Sequence, residues 1–392
     1  MLSFREVTSL MLAGVIRLSS GDRHSIVLKQ DGSVWSTRIA IRGQASASRD
    51  IKQCFVKIIP MRAIAIAAGY DFSMVLKEGG YLWSMGQNNK GQLGDGSRVT
   101  KDTVAFVHLI VGAKDLAAGA HHVMVLTKDG DVWATGWNKF GQHGNGLRSY
   151  KTRFAKIVSS EAKIVAAGGD HSIVVQKDGS VWAAGRNDRG QLGDGSTDHR
   201  NTFVLVVSSG VVAAAAGALH SMVIKEDGSV WATGCNMYGQ LGDGSNQDRV
   251  NYLQVVSTDA QSVSGGNRHS IMLKEDGSVW AVGANLYGQL GDGSKNNQFN
   301  FIQVMSSGAM AISAGALHSM VLKRDGSVWV AGSNQNGQLG DDSKHPTRIF
   351  EKLKRFVDGP ERDMIMKSHG VNLMIAKLKY LIVISAYLPA SL

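Results

Sequence analysis

Six histidines recur at one position of a repeated pattern, and their possible chemistry is considered first. Each lies in Gly-x-x-His, after a run of small residues, and five of the six are followed by serine. Serine and histidine can form a nucleophile and its base, and clustered histidines can bind a metal ion. The six are His24, His122, His171, His220, His269 and His318.

Neither chemistry fits this spacing. Adjacent residues of a strand point to opposite faces, so a histidine and the serine after it cannot pair, and no acidic residue is placed to orient the imidazole. Metal ligands must converge to about 2.0–2.1 Å from one ion, whereas these histidines lie on separate repeats and Phe72 replaces a seventh. We expect a structural ring of imidazoles that bond a neighbouring turn or the backbone, with a polar rim contacting a ligand or partner as the alternative.

Repeated aspartates in Gly-Asp-Gly-Ser loops suggest calcium, but each loop has a single acid. Calcium sites need about 6–8 oxygen ligands, usually from several acids. We expect Asx-type turns instead. No phosphate-binding Gly-Lys-Ser/Thr loop, dinucleotide fingerprint or carboxylate pair is present in the sequence, so we expect no catalytic residue, no metal and no cofactor. The aspartates are Asp95, Asp194, Asp243 and Asp292.

A tryptophan marks each repeat at steps of 48, 50, 49, 49, 49 and 49 residues. A period in this range indicates a solenoid or a propeller. Seven copies occupy residues 1–343, and residues 344–392 form a divergent tail. The marker residues, which we expect to be structural core, are Trp35, Trp83, Trp133, Trp182, Trp231, Trp280 and Trp329.

Each copy contains a β-hairpin signal, shown by residues 220–234. Two apolar runs flank Asp227-Gly228, which predicts a two-residue turn with positive φ at both residues. That turn places Lys225 opposite Val230, Ile224 opposite Trp231 and Val223 opposite Ala232. Both faces of the hairpin are then apolar, so it must lie between neighbouring sheets.

Two further strands complete the repeat. The small residues of 211–217 suit a crowded innermost strand, and residues 202–207 suit an outer strand. Four strands and four turns fit 49 residues. The predicted fold is an all-β, seven-bladed β-propeller with four-stranded blades.

The segments Gly-x-x-His-Ser, Asp-Gly-Ser-Val-Trp and Gly-x-Asn-x-x-Gly-Gln-Leu-Gly together resemble the repeat of the regulator of chromosome condensation family. The resemblance covers about seven eighths of the chain and implies a seven-bladed propeller. It implies no single function. The family includes a nucleotide exchange factor for a nuclear small GTPase, accessory domains of ubiquitin ligases and kinases, and secreted inhibitors of β-lactamases.

The seventh copy needs an outer strand. The candidates are Ser3–Met11 and Thr347–Phe356, and either would close the ring. The alternative is that the tail forms a faint, partial eighth copy, which would give eight blades.

The net charge of +10 is concentrated at the ends of the chain. Residues 1–60 carry nine basic and four acidic groups, residues 344–392 carry the same, and residues 61–343 carry 24 of each. A basic patch at the ring seam could bind nucleic acid or acidic protein; the alternative is scattered, solvated lysines, since the sequence shows no tight basic cluster with aromatic residues.

Compartment signals favour the cytoplasm or nucleus. Cys54 and Cys235 lie in distant copies and do not suggest a disulfide framework. Glu6 interrupts a weak resemblance to a signal peptide, and no stretch approaches the ~20 apolar residues of a membrane span.

The variable loop positions are the candidate partner-binding residues. Trp137 and Phe140 lie in one loop where other copies have different residues, and aromatic pairs often anchor interfaces. The full candidate set is Trp137, Phe140, Arg186, Tyr238 and Tyr287.

We therefore expect a non-catalytic scaffold that binds an unidentified protein partner and no membrane. Nucleotide exchange on a Ran-like small GTPase is the first alternative, implied by the resemblance alone. The even spacing leaves no room for the inserted β-wedge of such relatives, and their basic N-terminal arm is missing because the first blade starts near residue 14. Chromatin or nucleic-acid binding through the basic ends is the second alternative.

Overall fold

The computed structural model describes residues 14–37, 54–354 and 356–357. These residues form seven antiparallel sheets arranged in a ring. The strands of the first four sheets are β1 (Val15–Ser20), β2 (Ser25–Lys29), β3 (Val34–Ser36) and β4 (Phe55–Ile59); β5 (Ala63–Ala68), β6 (Phe72–Lys77), β7 (Tyr81–Gly86) and β8 (Lys101–Leu109); β9 (Ala113–Ala118), β10 (His122–Thr127), β11 (Val132–Gly136) and β12 (Lys151–Val158); and β13 (Ala162–Ala167), β14 (His171–Gln176), β15 (Val181–Gly185) and β16 (Arg200–Val207). The strands of the last three are β17 (Val211–Ala216), β18 (His220–Lys225), β19 (Val230–Gly234) and β20 (Arg249–Val256); β21 (Ala260–Gly265), β22 (His269–Lys274), β23 (Val279–Gly283) and β24 (Gln298–Met305); and β25 (Ala309–Ala314), β26 (His318–Lys323), β27 (Val328–Gly332) and β28 (Thr347–Lys352).

Among the described residues, two short elements of secondary structure lie outside these 28 strands. A short 3₁₀ segment, Glu78–Gly80, replaces the second hairpin turn, and the two-residue strand β29 (Phe356–Val357) lies beside β4 at the edge of the first sheet. Within the described part of the chain, no helix has the length and apolar character needed to cross a membrane.

The hairpin register differs by one residue from the prediction. Val223, not Ile224, lies opposite Trp231, and Met222 lies opposite Ala232. The Lys225 amide donates to the Ser229 carbonyl, so three residues, not two, connect the strands. Only Gly228 has a positive φ, of 75°, which is typical of a type I turn followed by a glycine bulge. The predicted two-residue turn is therefore wrong, although both faces of the hairpin are buried.

Neighbouring sheets pack face to face through apolar side chains. Between the fourth and fifth sheets, Val175 and Val181 contact Val223, with Trp231 at the edge of this cluster. Of the seven marker tryptophans, Trp35 is buried and the other six are half-buried. A lysine ammonium lies over the indole ring in six of the seven, for example Lys225 over Trp231 at 4.1 Å. In these six blades, lysine thus covers part of the indole ring.

The ring closes by the same packing that joins the other blades. Strand β28 is the outer strand of the seventh sheet and pairs with β27. The candidate segment Thr347–Phe356 therefore supplies this outer strand. Met320 and Leu322 of the seventh sheet share a core with Val27 of the first, and Ser20 N donates to Ser313 Oγ at 3.0 Å. The other candidate, Ser3–Met11, and the proposed eighth copy beyond residue 357 lie outside the described residues.

Candidate functional site

The strand directions place two kinds of connection at opposite ends of every blade. In the fifth blade, the 217–219 turn and the 235–248 loop lie at one end, and the 226–229 turn lies at the other. We call the first end the loop face and the second the turn face. All six histidines and all five candidate partner-binding residues belong to, or border, the loop face.

The histidines form a ring of contacts between blades. Each Nε2 lies 2.8–2.9 Å from the Oγ of the serine that follows the equivalent position in the next blade, and His318 closes the ring onto Ser25. The structural ring was expected, but the expected partner, a turn or the backbone, is wrong: the partner is a serine side chain. The pairs are His24–Ser73, His122–Ser172, His171–Ser221, His220–Ser270, His269–Ser319 and His318–Ser25.

The seventh contact replaces both polar partners at once. The second blade has Phe72 in place of histidine, and the third blade has Val123 in place of serine. Both side chains are buried and belong to one apolar cluster. A phenylalanine facing a serine would leave a buried hydroxyl with one partner fewer, so the paired change preserves the seam.

The serines determine the form of the imidazoles. Ser221 Oγ donates to the Gln191 carbonyl, and the same bond occurs at Ser25, Ser270 and Ser319. A hydroxyl has a single proton, so Oγ must accept a hydrogen bond from the imidazole Nε2–H. Each of these histidines is therefore the neutral tautomer with the proton on Nε2.

The glycine of Gly-x-x-His makes room for the ring. A Cβ on any of the six glycines would lie only 2.5–2.8 Å from the Nδ1 of its histidine. The motif is therefore one packing unit, in which the Cε1–Nδ1 edge of the imidazole lies against a residue that can have no side chain. The glycines are Gly21, Gly119, Gly168, Gly217, Gly266 and Gly315.

Burial keeps the imidazoles neutral. Desolvation lowers the pKa of His171, His269 and His318 to about 3 and that of His220 to about 4. Each imidazole donates its Nε2 proton to a serine oxygen, and its low pKa makes it a weak base. It therefore cannot take the proton of that serine and activate it as a nucleophile. The arrangement stabilises the ring and offers no chemistry.

The loops are held by a repeated asparagine. Asn236 is buried; its Nδ2 donates to Asp243 Oδ1 at 2.8 Å, and its Oδ1 accepts from the Leu241 amide. Asp243 also accepts from the Ser245 amide, which is the expected Asx turn, and pairs with Arg249. No cluster of three potential metal-ligating residues occurs among the described residues. The loop backbone is fixed from within, and the side chains between these anchors are free to differ.

Three of the predicted partner-binding residues lie on the third and fourth blades. Trp137 and Phe140 are both half-buried, and each ring faces a cation from another blade: Lys90 Nζ lies 4.1 Å from the Trp137 ring, and the Arg186 guanidinium lies 5.4 Å from the Phe140 ring. Arg186 also forms a bidentate pair with Asp188, at 2.8 Å for both bonds. The aromatic residues therefore act as bridges between adjacent loops.

The other two lie apart, on the fifth and sixth blades. Tyr238 is half-buried, and its hydroxyl accepts from Arg268 Nη1 at 3.0 Å. Tyr287 is half-buried at the equivalent position of the next loop. Beside them, Met237 and Leu286 are 55% and 63% exposed, so this side of the loop face is apolar.

The inner rim of the loop face carries acidic groups in partly buried positions. Burial raises the pKa of Asp22 and of Asp170, although Arg23 lies 3.3 Å from the first and Arg186 lies 3.8 Å from the second. Burial lowers the pKa of His121, which lies between these positions. The rim is thus an electrostatic network in which each carboxylate has a nearby cation.

Sequence reasoning missed a basic group of residues on the second and third blades. Arg98 donates from Nε to the Asn89 carbonyl and from Nη1 to the Tyr150 hydroxyl, and its guanidinium lies 4.8 Å from that ring. The contact joins a basic and an aromatic residue that lie 52 residues apart in the sequence. The signal was available, because Arg98 and Arg148 hold the same position in their repeats, one residue after Gly-x-Gly-x.

Comparison with known families identifies the repeat. The profile described as "Regulator of chromosome condensation (RCC1) repeat" matches six segments, and a second profile of the same description matches three longer ones. No curated protein matches this chain. The six segments are residues 63–92, 113–142, 162–191, 211–240, 260–289 and 311–338, and the three are 178–224, 227–273 and 276–322.

Solved structures share the fold. Human WBSCR16 is 22% identical with a TM-score of 0.67, covering 79% of this chain and 86% of its own. Prp20p from Saccharomyces cerevisiae, described with its binding to Gsp1p and histones, is 18% identical with a TM-score of 0.68, covering 83% of this chain and 84% of its own. The yeast RCC1 (Prp20) bound to Kap60 is 20% identical with a TM-score of 0.67, covering 74% of each chain. At these identities the likeness concerns the fold.

Proposed function

Because this chain belongs to the regulator of chromosome condensation (RCC1) repeat family, we propose that it is a non-catalytic scaffold that binds a protein partner through the loop face. One observation carries the proposal: each loop keeps the same internal anchors while the residues between them differ. At the exposed position directly after the anchoring asparagine, the six regular copies have Asn89, Lys139, Asp188, Met237, Leu286 and Gln335.

The ring supports this role by holding the loops rigidly. The imidazole–serine contacts lie directly beneath the loop face, and the loop backbones are fixed by buried asparagines. A preorganised surface loses little conformational entropy on binding. Exposed apolar side chains such as Met237 and Leu286 are suited to contact a partner, because exposed apolar groups on a rigid surface favour association.

A quantitative pull-down tests the proposal. The variant W137S/Y238S alters two loop-face residues, and D129S/E226S alters two residues at the turn face. We expect the first to lose partner proteins that the wild type and the second retain, at a temperature where melting curves show all three forms to be folded. Equal capture by all three forms would contradict the proposal.

Nucleotide exchange is the alternative kept open by the family. The test is release of labelled nucleotide from a Ran-like small GTPase, for which we expect no acceleration by this protein. Acceleration that W137S/Y238S abolishes would replace the scaffold with an exchange factor using the same face. We place the function in the cytoplasm or nucleus, because Cys54 and Cys235 lie in distant copies and suggest no disulfide framework.

A further inference from the structure

The charges of the loop face are not evenly distributed among its loops. Loops 87–102 and 137–152, of the second and third blades, together carry six basic and two acidic residues. The four equivalent loops carry seven basic and eight acidic residues. The net excess lies at the chain ends as expected, but the equal count over residues 61–343 hides a local positive region. The four are 186–201, 235–250, 284–299 and 333–348.

The cations of this region are held mainly by rings and backbone groups. Arg98 lies on Tyr150, Lys90 on Trp137, and Lys139 5.8 Å from the Phe140 ring centre. Among the described residues, Lys101 with Asp95 is an ion pair here, at 3.3 Å, and Lys90, Arg98 and Lys139 form none. These contacts orient the three cations without pairing them directly with a carboxylate. We call Lys90, Arg98, Lys139, Arg148, Leu147, Val99 and Tyr150 the basic loop surface.

Apolar side chains are interspersed with the charges. Val99 is 64% exposed, Leu147 is 50% exposed and Tyr150 is 43% exposed, and each is next to, or one residue removed from, an arginine. A nucleic-acid backbone would engage the cations and give the two aliphatic side chains nothing to pack against. A peptide with acidic and apolar residues would engage both kinds of group.

We propose that the basic loop surface binds an acidic, apolar-containing segment of a protein partner. This proposal rests on the proposed scaffold function and specifies the chemistry of its partner. Carboxylates pair with Arg98, Arg148, Lys90 and Lys139, and aliphatic or aromatic side chains cover Val99, Leu147 and the exposed edge of Tyr150. Arginine is well suited to such a site because its guanidinium can stack on an aromatic ring and bond a carboxylate at the same time.

Fluorescence anisotropy with the full chain tests the proposal. The probes are a labelled peptide of repeated Glu-Glu-Leu-Phe units, its Gln-Gln-Leu-Phe counterpart, and labelled oligothymidylate. We expect the acidic peptide to bind at least about tenfold more tightly than the neutral one, with affinity falling as salt rises.

Equivalent positions in other blades supply a matched control. R98E/R148E should weaken binding of the acidic peptide at least about tenfold, whereas K295E/K344E, with the same charge change at the same repeat position, should leave it within about twofold. Both variants change exposed residues, so melting curves should match the wild type.

Three results would overturn the proposal: equal binding of the acidic and neutral peptides, equal loss in the two double variants, or tighter binding of oligothymidylate than of the acidic peptide. The last would assign the surface to nucleic acid. If the acidic peptide fails while W137S/Y238S still loses partner proteins in the pull-down, the scaffold function stands and only the chemistry of the partner is wrong.

Discussion

At the scale of single residues, the imidazole–serine contacts show how a repeat protein maintains seven equivalent seams. Each contact needs a glycine, a histidine and a serine from two neighbouring blades, and the one exception changes the histidine and serine positions to apolar residues. The histidine and serine positions of each seam complement one another, so substituting both residues of one seam tests the pattern directly.

The exchange of Phe72 and Val123 is the first prediction. F72H alone places a buried Nε2–H opposite a methyl group and should lower the free energy of unfolding by about 1–3 kcal/mol. F72H/V123S should recover most of that loss, since it recreates the pair found at the other seams. Urea unfolding measures both, and a double variant no more stable than F72H would show that the hydrogen bond does not hold the seam.

The second prediction concerns acid. The unfolded chain has histidine pKa values near 6.5, whereas burial lowers those of His171 and His318 to about 3 and that of His220 to about 4. The unfolded state therefore binds protons that the folded state does not. The stability is fully present above about pH 6.5 and falls as the pH decreases toward 4.

Urea midpoints measured across this pH range check the second prediction. The variant H220F/S270V copies the natural Phe72–Val123 seam and should reduce proton uptake on unfolding by about one at pH 5. A midpoint that stays constant between pH 6.5 and 4.5 would mean that the imidazoles are hydrated and titrate normally.

At the scale of elements, the described part of the chain closes the ring in two steps, first with β28 in the seventh sheet and then with the short strand β29 at the edge of the first sheet. The seventh blade takes its outer strand from its own repeat, and the chain then reaches the first blade, where Phe356 packs on Trp35 at 5.6 Å and on Phe55 at 5.1 Å. This aromatic cluster reinforces the seam between the first and last blades.

The third prediction is that F356A destabilises the protein by about 3 kcal/mol, because it removes a side chain that is 3% exposed from this cluster. The control F106A changes a phenylalanine that is 51% exposed on the second blade and should cost less than about 1 kcal/mol. Chemical denaturation of both variants decides the matter. Equal losses would remove Phe356 from any role in closure.

The blade number, the strand order and the apolar faces were predictable, because a 49-residue period and local turn signals determine them. The register was not: an Asp-Gly pair fits both a two-residue and a three-residue connection, and only the Lys225–Ser229 hydrogen bond distinguishes them. The partner of each histidine was also missed, since His220 and Ser270 are 50 residues apart and meet only when blades stack.

At the scale of the whole molecule, the two faces of the ring differ in kind. The turn face consists of short, repeated hairpin turns. The loop face combines a basic sector on the second and third blades, an acidic inner rim with its own cations, and an apolar sector on the fifth and sixth blades. This asymmetry is the reason for assigning binding to one face.

Site-specific photo-crosslinking tests that assignment most directly. A benzoylphenylalanine at position 137 samples the loop face, and one at position 129 samples the turn face of the same blade. We expect partner proteins from the native source to be crosslinked from position 137 and not from position 129. Crosslinks of equal yield at both positions, or from position 129 alone, would contradict it.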